Sequence, residues 1–139
     1  MADKKLYSID EMKEKLTPLF KEKGLQFVLL FGSVVSERTH KESDIDLAFL
    51  YDEPVGILDL TNQVIRLLHT DHVDVVDLYR ASPLLRFWAA KQGKVLYERS
   101  PGLFNSFYSL AFRRYVDTKK LRKGRGESIK SFLEEKGLL

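Results

Sequence analysis

Cysteine is absent from this chain of 139 residues. Without a thiol, the protein has no disulfide bond, no thiolate nucleophile and no cysteine ligand for zinc. The sequence also contains no internal repeat and no low-complexity segment. A chain of this length with 44% hydrophobic residues is expected to fold as a single domain around a buried core.

Long apolar runs are missing as well. No stretch approaches the roughly 18 to 20 consecutive apolar residues that a membrane-spanning helix requires. The first residues, Met1 to Lys5, are polar and charged, unlike an export signal. We therefore expect a soluble cytoplasmic protein that does not interact with a membrane.

The chain has no large excess of either charge, because 23 Lys and Arg stand against 20 Asp and Glu. The balance therefore does not point to a class of partner. The charges are nevertheless segregated, with acids concentrated in residues 44–77 and cations in residues 113–125. The cationic run is interpreted as a solvated helix face, and contact with RNA phosphates is the less favoured alternative.

Helix and strand patterns alternate along the first 98 residues. Ser8 and Glu11 form a capping box that predicts a helix over residues 9–23, which Gly24 is expected to end in a left-handed conformation. Further helices are predicted over residues 57–68 and 83–93, the latter with Ser82 as N-cap and Pro83 in its first turn. Strands are predicted over residues 25–31, 44–51, 73–79 and 95–97.

Helix dominates after residue 98. Ser100 and Pro101 repeat the start signal and predict one long helix through Leu121, followed by an amphipathic stretch to Leu138. The fold class is therefore α/β, with a core over residues 1–98 and a C-terminal helical extension over residues 99–139. The extension is expected to pack on the core or on a partner.

A pair of aspartates begins the second predicted strand. Asp44 and Asp46 are two residues apart, so their carboxylates point to the same face while Ile45 and Leu47 point to the core. Two ionised carboxylates at close range repel each other, and a divalent ion with a preference for oxygen ligands removes that repulsion. The pair therefore predicts a magnesium site.

Gly32 and Ser33 close the first predicted strand, and ten residues separate Ser33 from Asp44. A glycine there lets the backbone approach a ligand, and the following amides are suited to phosphate oxygens. The hydroxyl of Ser33 adds one more donor. Together these residues predict a site for a triphosphate.

A third carboxylate is expected from a neighbouring strand. Asp74 and Asp77 are three residues apart, so only one of them can face the site. Asp74 is chosen because it lies inside an apolar run, where burial demands a partner, whereas Asp77 suits a strand end. Three carboxylates can hold two metal ions for an in-line displacement at an α-phosphate, with Asp74 also a candidate general base.

These motifs resemble those of the polymerase-β-like nucleotidyltransferases. Gly-Ser, a spacer of ten residues, Asp-x-Asp and a later Val-Asp-Val all lie within residues 27–78. The small size of the chain resembles the minimal (MNT) branch of that superfamily. The resemblance implies a mixed sheet flanked by helices, with Gly32 and Ser33 binding nucleotide and Asp44, Asp46 and Asp74 binding two Mg²⁺ ions.

A softer resemblance extends over the rest of the chain. The segment from Val76 to Phe87, Gly-Lys-Val-Leu-Tyr-Glu and a helix with Arg-Arg-Tyr-Val-Asp look like the MntA-type antitoxins encoded beside HEPN-domain RNase toxins. That likeness implies transfer of AMP from ATP to a tyrosine hydroxyl of the toxin, an AMPylation that silences the RNase.

Two alternatives stay open. One is a binding-only antitoxin whose helical extension masks its partner while the nucleotide site is vestigial. The other is nucleotidyl transfer to a small molecule, which 139 residues without a further substrate domain make less favoured. The acceptor, the preferred base and the choice between a homo-oligomer and a hetero-oligomer are not encoded in these motifs. The three histidines show no ligand spacing and are assigned no role.

Overall fold

The computed structural model describes residues 8–31, residues 45–124 and residue 134. Nine elements lie within these ranges. In chain order they are α1 (Ile9–Phe20), β1 (Leu25–Phe31), β2 (Ile45–Tyr51), α2 (Ile57–Leu68), β3 (Val73–Asp77), α3 (Pro83–Gln92), β4 (Lys94–Glu98), α4 (Leu103–Asp117) and α5 (Lys119–Gly124).

The strands form a mixed sheet in the order β3-β2-β1-β4. β1 pairs antiparallel with both β2 and β4, whereas β2 and β3 are parallel. The parallel pair follows from helix α2, because parallel neighbours need a crossover connection. The predicted α/β class with a mixed sheet flanked by helices is confirmed.

Both faces of the sheet are covered by helices. Helices α1 and α2 pack on one face, where Leu16, Phe49 and Val64 are fully buried. Helices α3 and α4 pack on the other face, around Phe27 and Leu29. Strands with both faces covered are almost continuously apolar, as β1 and β2 are. Within the described residues, no helix is both long and apolar enough to cross a membrane.

Helix α1 begins as predicted but ends early. Ser8 accepts a hydrogen bond from the amide of Glu11, whose carboxylate accepts one from the amide of Ser8. The helix ends at Phe20, because Glu22 donates its amide to the Leu19 carbonyl in a tight turn at 3.1 Å. The prediction of a left-handed Gly24 is wrong, since within residues 8–31 and 45–124 only His69 and Gly102 have positive φ.

The extension differs from the prediction at both ends of α4. Its N-cap is Gly102, with φ of 95°, and the Glu98 carboxylate accepts a hydrogen bond from the amide of Phe104 at 2.8 Å, so Ser100 does not cap it. The predicted continuous helix is also wrong, because α4 stops at Asp117. Thr118 leaves the helical conformation, with φ of −93° and ψ of 2°, and its hydroxyl donates to the carbonyl of Arg114 at 2.9 Å.

Helix α4 packs on α3, β1 and β4. Phe27 of β1 meets Phe104 and Phe107 edge to face, with ring centroids 5.7 and 5.2 Å apart. Phe87 of α3 stacks on Tyr115 at 4.3 Å. The division into a core over residues 1–98 and an extension over residues 99–139 stays a prediction, and the stretch predicted to reach Leu138 lies outside the described residues apart from residue 134.

Candidate active site

Asp46 is the second residue of β2 and is only 8% exposed. Its neighbours Ile45 and Leu47 belong to the core beneath α1 and α2, so the carboxylate of Asp46 faces the opposite side of the sheet. Phe31, the last residue of β1, is its partner in register on one side. The acid therefore lies at the end of the sheet where β1 finishes and β2 begins.

Asp74 is the partner of Asp46 on the other side. The two residues are paired in the parallel register of β2 and β3, and neighbouring strands lie about 4.8 Å apart. Residues paired in a parallel register project to the same face of a sheet. The structure thus brings together the carboxylates of Asp46 and Asp74, which are 28 positions apart in the chain.

The predicted burial of Asp74, the third candidate carboxylate, is wrong. Asp74 is exposed, because β3 is an edge strand and Asp74 lies near its start. Asp77 is the acid that is buried, at 8% exposure. Its carboxylate accepts hydrogen bonds from the amides of Tyr79 at 3.0 Å and Val55 at 3.5 Å. The reason given for choosing Asp74 is therefore wrong, and the register with Asp46 is the argument that now supports the choice.

The other predicted site residues, Gly32, Ser33 and Asp44, lie outside the described residues. Their described neighbours converge at one end of the sheet. Phe31 precedes Gly32 and is in register with Asp46, while Ile45 follows Asp44. The amide of Ile45 donates to the carbonyl of His72 at 2.8 Å, which joins the start of β2 to the start of β3.

Asp46 and Asp74 are two of the three predicted metal ligands, and the structure places them as partners in register. No group of three His, Cys, Asp or Glu side chains that could hold a metal ion occurs in the part of the chain that the structure describes. Asp46 and Asp74 make up two members of such a group, and carboxylate oxygens are the ligands that magnesium prefers.

Two further residues that shape this half of the sheet were not found from sequence. His69 ends α2 in a left-handed conformation with φ of 55°, a position usually taken by glycine or asparagine. Arg86 of α3 donates to the carbonyls of Leu78, at 2.8 Å, and of Tyr79, which fixes the turn between β3 and α3. No local pattern marks either role, because both depend on contacts or backbone angles set by the folded chain.

The chain is similar to known proteins in family, sequence and structure. The family described as polymerase beta, nucleotidyltransferase matches residues 14–102. A relative from Aphanizomenon flos-aquae (strain 2012/KM1/D3), named protein adenylyltransferase MntA, is 31% identical over 147 residues, covering 96% of this chain and 98% of the relative.

Solved structures agree with the sequence relatives. A chain from a crystal structure of a toxin–antitoxin pair with AMP-PNP matches with a TM-score of 0.72 and 28% identity, covering 81% of this chain and 93% of the other. A chain from a tri-AMPylated Shewanella oneidensis HEPN toxin in complex with an MNT antitoxin matches with a TM-score of 0.69 and 25% identity, covering 84% and 94%.

The family assignment has two independent supports. The family match extends over more than half of the chain, including Asp46, Asp74 and the four strands. The curated relative aligns with nearly the whole length of both proteins. The chain therefore belongs to the polymerase-β-like nucleotidyltransferase family.

Proposed function

We propose that this protein transfers AMP from ATP to a tyrosine hydroxyl of a HEPN-domain RNase toxin and so acts as its antitoxin. The observation that carries the proposal is the register pairing of Asp46 with Asp74 in a chain aligned over 96% of its length with a protein adenylyltransferase. The paired carboxylates provide the chemistry, and the relatives suggest the donor and the acceptor. The predicted cytoplasmic location is part of the proposal.

Magnesium suits the residues at this end of the sheet. Carboxylate oxygens are its preferred ligands, and Asp46 and Asp74 project to one face from adjacent strands. Asp44 and Asp46 would hold two ions, and Asp74 would hold one of them. When bound, the ions supply positive charge that offsets the charges of the carboxylates and of the triphosphate.

The chain's own residues divide the remaining tasks. Gly32 and Ser33 donate hydrogen bonds to triphosphate oxygens and hold the α-phosphate in line with the acceptor. The tyrosine oxygen forms a bond to the α-phosphorus as the bond to the bridging β-phosphate oxygen breaks, and pyrophosphate leaves. Asp74 accepts the hydroxyl proton. Its exposure on an edge strand suits contact with a protein acceptor, whereas Asp46 is buried.

The identity of the partner is supported by the relatives. One matched structure contains an AMPylated HEPN toxin with an MNT antitoxin, and another contains a toxin–antitoxin pair with AMP-PNP.

The test is mass spectrometry of the protein encoded beside this chain, which the proposal expects to be a HEPN-domain toxin, after incubation with the chain, ATP and Mg²⁺. We expect a mass increase of one or more AMP units and loss of RNase activity. The double variant Asp44→Asn with Asp46→Asn should abolish both effects. Asp59→Asn, which removes an exposed acid from α2, is the matched control and should retain them.

Two outcomes would contradict the proposal. If the double variant still silences the RNase, binding alone neutralises the toxin and the transfer is not its mechanism. If no AMP is added by the unmodified chain, the acceptor is a different molecule.

A further inference from the structure

Helix α4 has an unusual outer face. Ten consecutive residues, Leu103–Phe112, include no charged side chain, although 31% of the whole chain is charged. Helix faces that contact only water normally carry charged and polar residues. The exposed residues in this stretch are Asn105, Ser106, Ser109, Leu110 and Phe112.

Apolar side chains on this face are left in solvent. Leu110 is 39% exposed, Phe112 is 51% exposed and Val116 is 47% exposed. Leu110 and Val116 are not needed for the core, because the opposite face of α4 packs through Phe104 and Phe107 on the sheet. Phe112 lies to the side of this face, with its ring 6.0 Å from that of Phe87 on α3. A cluster of exposed apolar residues on one helix marks an interaction surface. The small Ser106 and Ser109 between them allow another helix to approach closely.

Cations follow directly after the uncharged stretch. Asp117 is the one acid among residues 113–123. None of the exposed cations there forms an ion pair with a carboxylate of the described residues. These cations are Arg113, Arg114, Lys119, Lys120 and Lys123.

Arg114 also lies close to a second guanidinium. Arg86 is placed over the ring of Phe107 at 5.8 Å, and Phe107 is two turns before Arg114 on the same helix. Burial lowers the pKa of Arg86, and the positive charge of Arg114 lowers it further. Two neighbouring cations favour the arrival of an anionic group.

We propose that the outer face of α4, formed by Ser106, Ser109, Leu110 and Val116, docks a helix of an acidic partner protein. The partner's apolar and small side chains lie against this face, and its carboxylates lie beside Arg113 and Arg114. The inference rests on the proposed function only for the identity of that partner, the HEPN-domain toxin.

Charge distinguishes an acidic partner helix from two other possible occupants of this face, a second copy of the chain and RNA. A second copy of the chain would set the cations against each other in a parallel pair, or against the uncharged stretch in an antiparallel pair. RNA would match the cations, but the aliphatic side chains of Leu110 and Val116 offer no platform for stacking bases. An acidic helix satisfies both the apolar and the charged part of the surface.

The test measures binding of the neighbouring HEPN-domain protein by calorimetry. Ser109→Arg places a bulky charge at the centre of the outer face, and we expect affinity to fall by about tenfold or more. Asn62→Arg, the same kind of change at an exposed position of α2, is the matched control and should bind normally. Arg113→Glu with Arg114→Glu should also weaken binding and reduce its dependence on salt.

Several results would overturn this inference. Unchanged binding by Ser109→Arg, or no binding by the unmodified chain, would do so. The inference would also fail if the unmodified chain alone is a dimer and Ser109→Arg makes it a monomer. It would fail again if free Ser109→Arg melts at a lower temperature than free Asn62→Arg. Either result means that the outer face is already covered in the absence of the partner. Binding of a labelled single-stranded RNA that is lost with Arg113→Glu and Arg114→Glu would assign the surface to RNA.

Binding of the partner and transfer of AMP can be tested independently. Asp46→Asn should bind the HEPN-domain protein as the unmodified chain does while adding no AMP. If the unmodified chain binds through the outer face but adds no AMP, the docking surface stands and the proposed function falls. If AMP is added and Ser109→Arg binds normally, the proposed function stands and the docking surface falls.

Discussion

Asp46 and Asp74 are direct partners across the parallel strands β2 and β3, although only Asp46 is buried. Two carboxylates held on one face at this spacing repel each other unless a cation lies between them. If the pair holds the proposed metal ion, metal binding is coupled to the stability of the folded chain. Each of the two acids can be tested through that coupling without measuring catalysis.

We expect Mg²⁺ to raise the melting temperature of the unmodified chain, because a ligand that binds only the folded state stabilises it. Asp46→Asn and Asp74→Asn should each reduce or remove the shift, and AMP transfer should fall by about 10²-fold or more. Differential scanning fluorimetry with and without EDTA measures the shift. Asp59→Asn should keep it, and an undiminished shift in both site variants would place the metal elsewhere.

Substitution of Asp77 should lower stability, whereas substitution of Asp74 should lower activity. Asp77→Ala removes a buried acceptor from the amides of Tyr79 and Val55, so the free energy of unfolding should fall by about 1–3 kcal/mol. The transfer rate per folded molecule should be retained. Asp74→Ala should leave stability nearly unchanged and abolish transfer. Urea denaturation together with a transfer assay separates the two, and the reverse pattern would make Asp77 the site residue.

The elements that the sequence predicts best are those defined by apolar pattern alone. β1 and α2 have the bounds expected from their runs and periodicity, since β1 buries every apolar side chain and α2 buries Leu60, Val64 and Leu68 at helical spacing. A break at a single residue is not predicted in this way. α4 ends at Asp117 because the backbone of Thr118 leaves the helical conformation, and a threonine in a helical pattern does not by itself predict that change.

The candidate site also has some features that the sequence predicts and others that it does not. Alternation along a strand assigns Asp46 to the face opposite Ile45 and Leu47, and the structure has this arrangement. The pairing with Asp74 depends on the register between β2 and β3, which no local pattern specifies. Exposure of Asp74 follows from the edge position of β3, a property of strand order rather than of sequence.

The hydroxyl of Tyr51 provides a prediction about pH. Tyr51 is 8% exposed and donates to the Glu22 carboxylate at 2.6 Å, which joins β2 to the turn after α1. Burial raises the pKa of Tyr51 above its ordinary value of 10.0, and the hydrogen bond and charge of Glu22 raise it further. The folded state therefore favours the protonated phenol. That stability is fully present below pH 10.0 and is lost as the pH rises towards the higher pKa of the folded state.

Tyr51→Phe removes the bond and should cost about 2 kcal/mol at neutral pH. Because the variant has no phenol to ionise, the difference in unfolding free energy between it and the unmodified chain should shrink above pH 10.0. Urea denaturation at a series of pH values measures this difference. A constant difference across the alkaline range would mean that the phenol has the same pKa in both states.

Gly93 and Gly24 form a matched pair for testing how tightly α3 is held on the sheet. A Cβ at Gly93 would lie 2.5 Å from the carbonyl oxygen of Ala89 in α3 and 3.2 Å from Cβ of Leu29 in β1, so the last turn of α3 would have to distort and its end would have to shift from the sheet. Gly93→Ala should therefore lower the free energy of unfolding by about 1–3 kcal/mol.

At Gly24 the nearest atom is Cδ2 of Tyr51 at 3.8 Å, an ordinary contact, and φ is not left-handed. Gly24→Ala should be neutral or stabilise by up to about 1 kcal/mol, since alanine restricts the unfolded chain. Equal effects of the two substitutions in urea denaturation would show that the contacts with the Ala89 carbonyl and Leu29 do not restrict the residue at position 93.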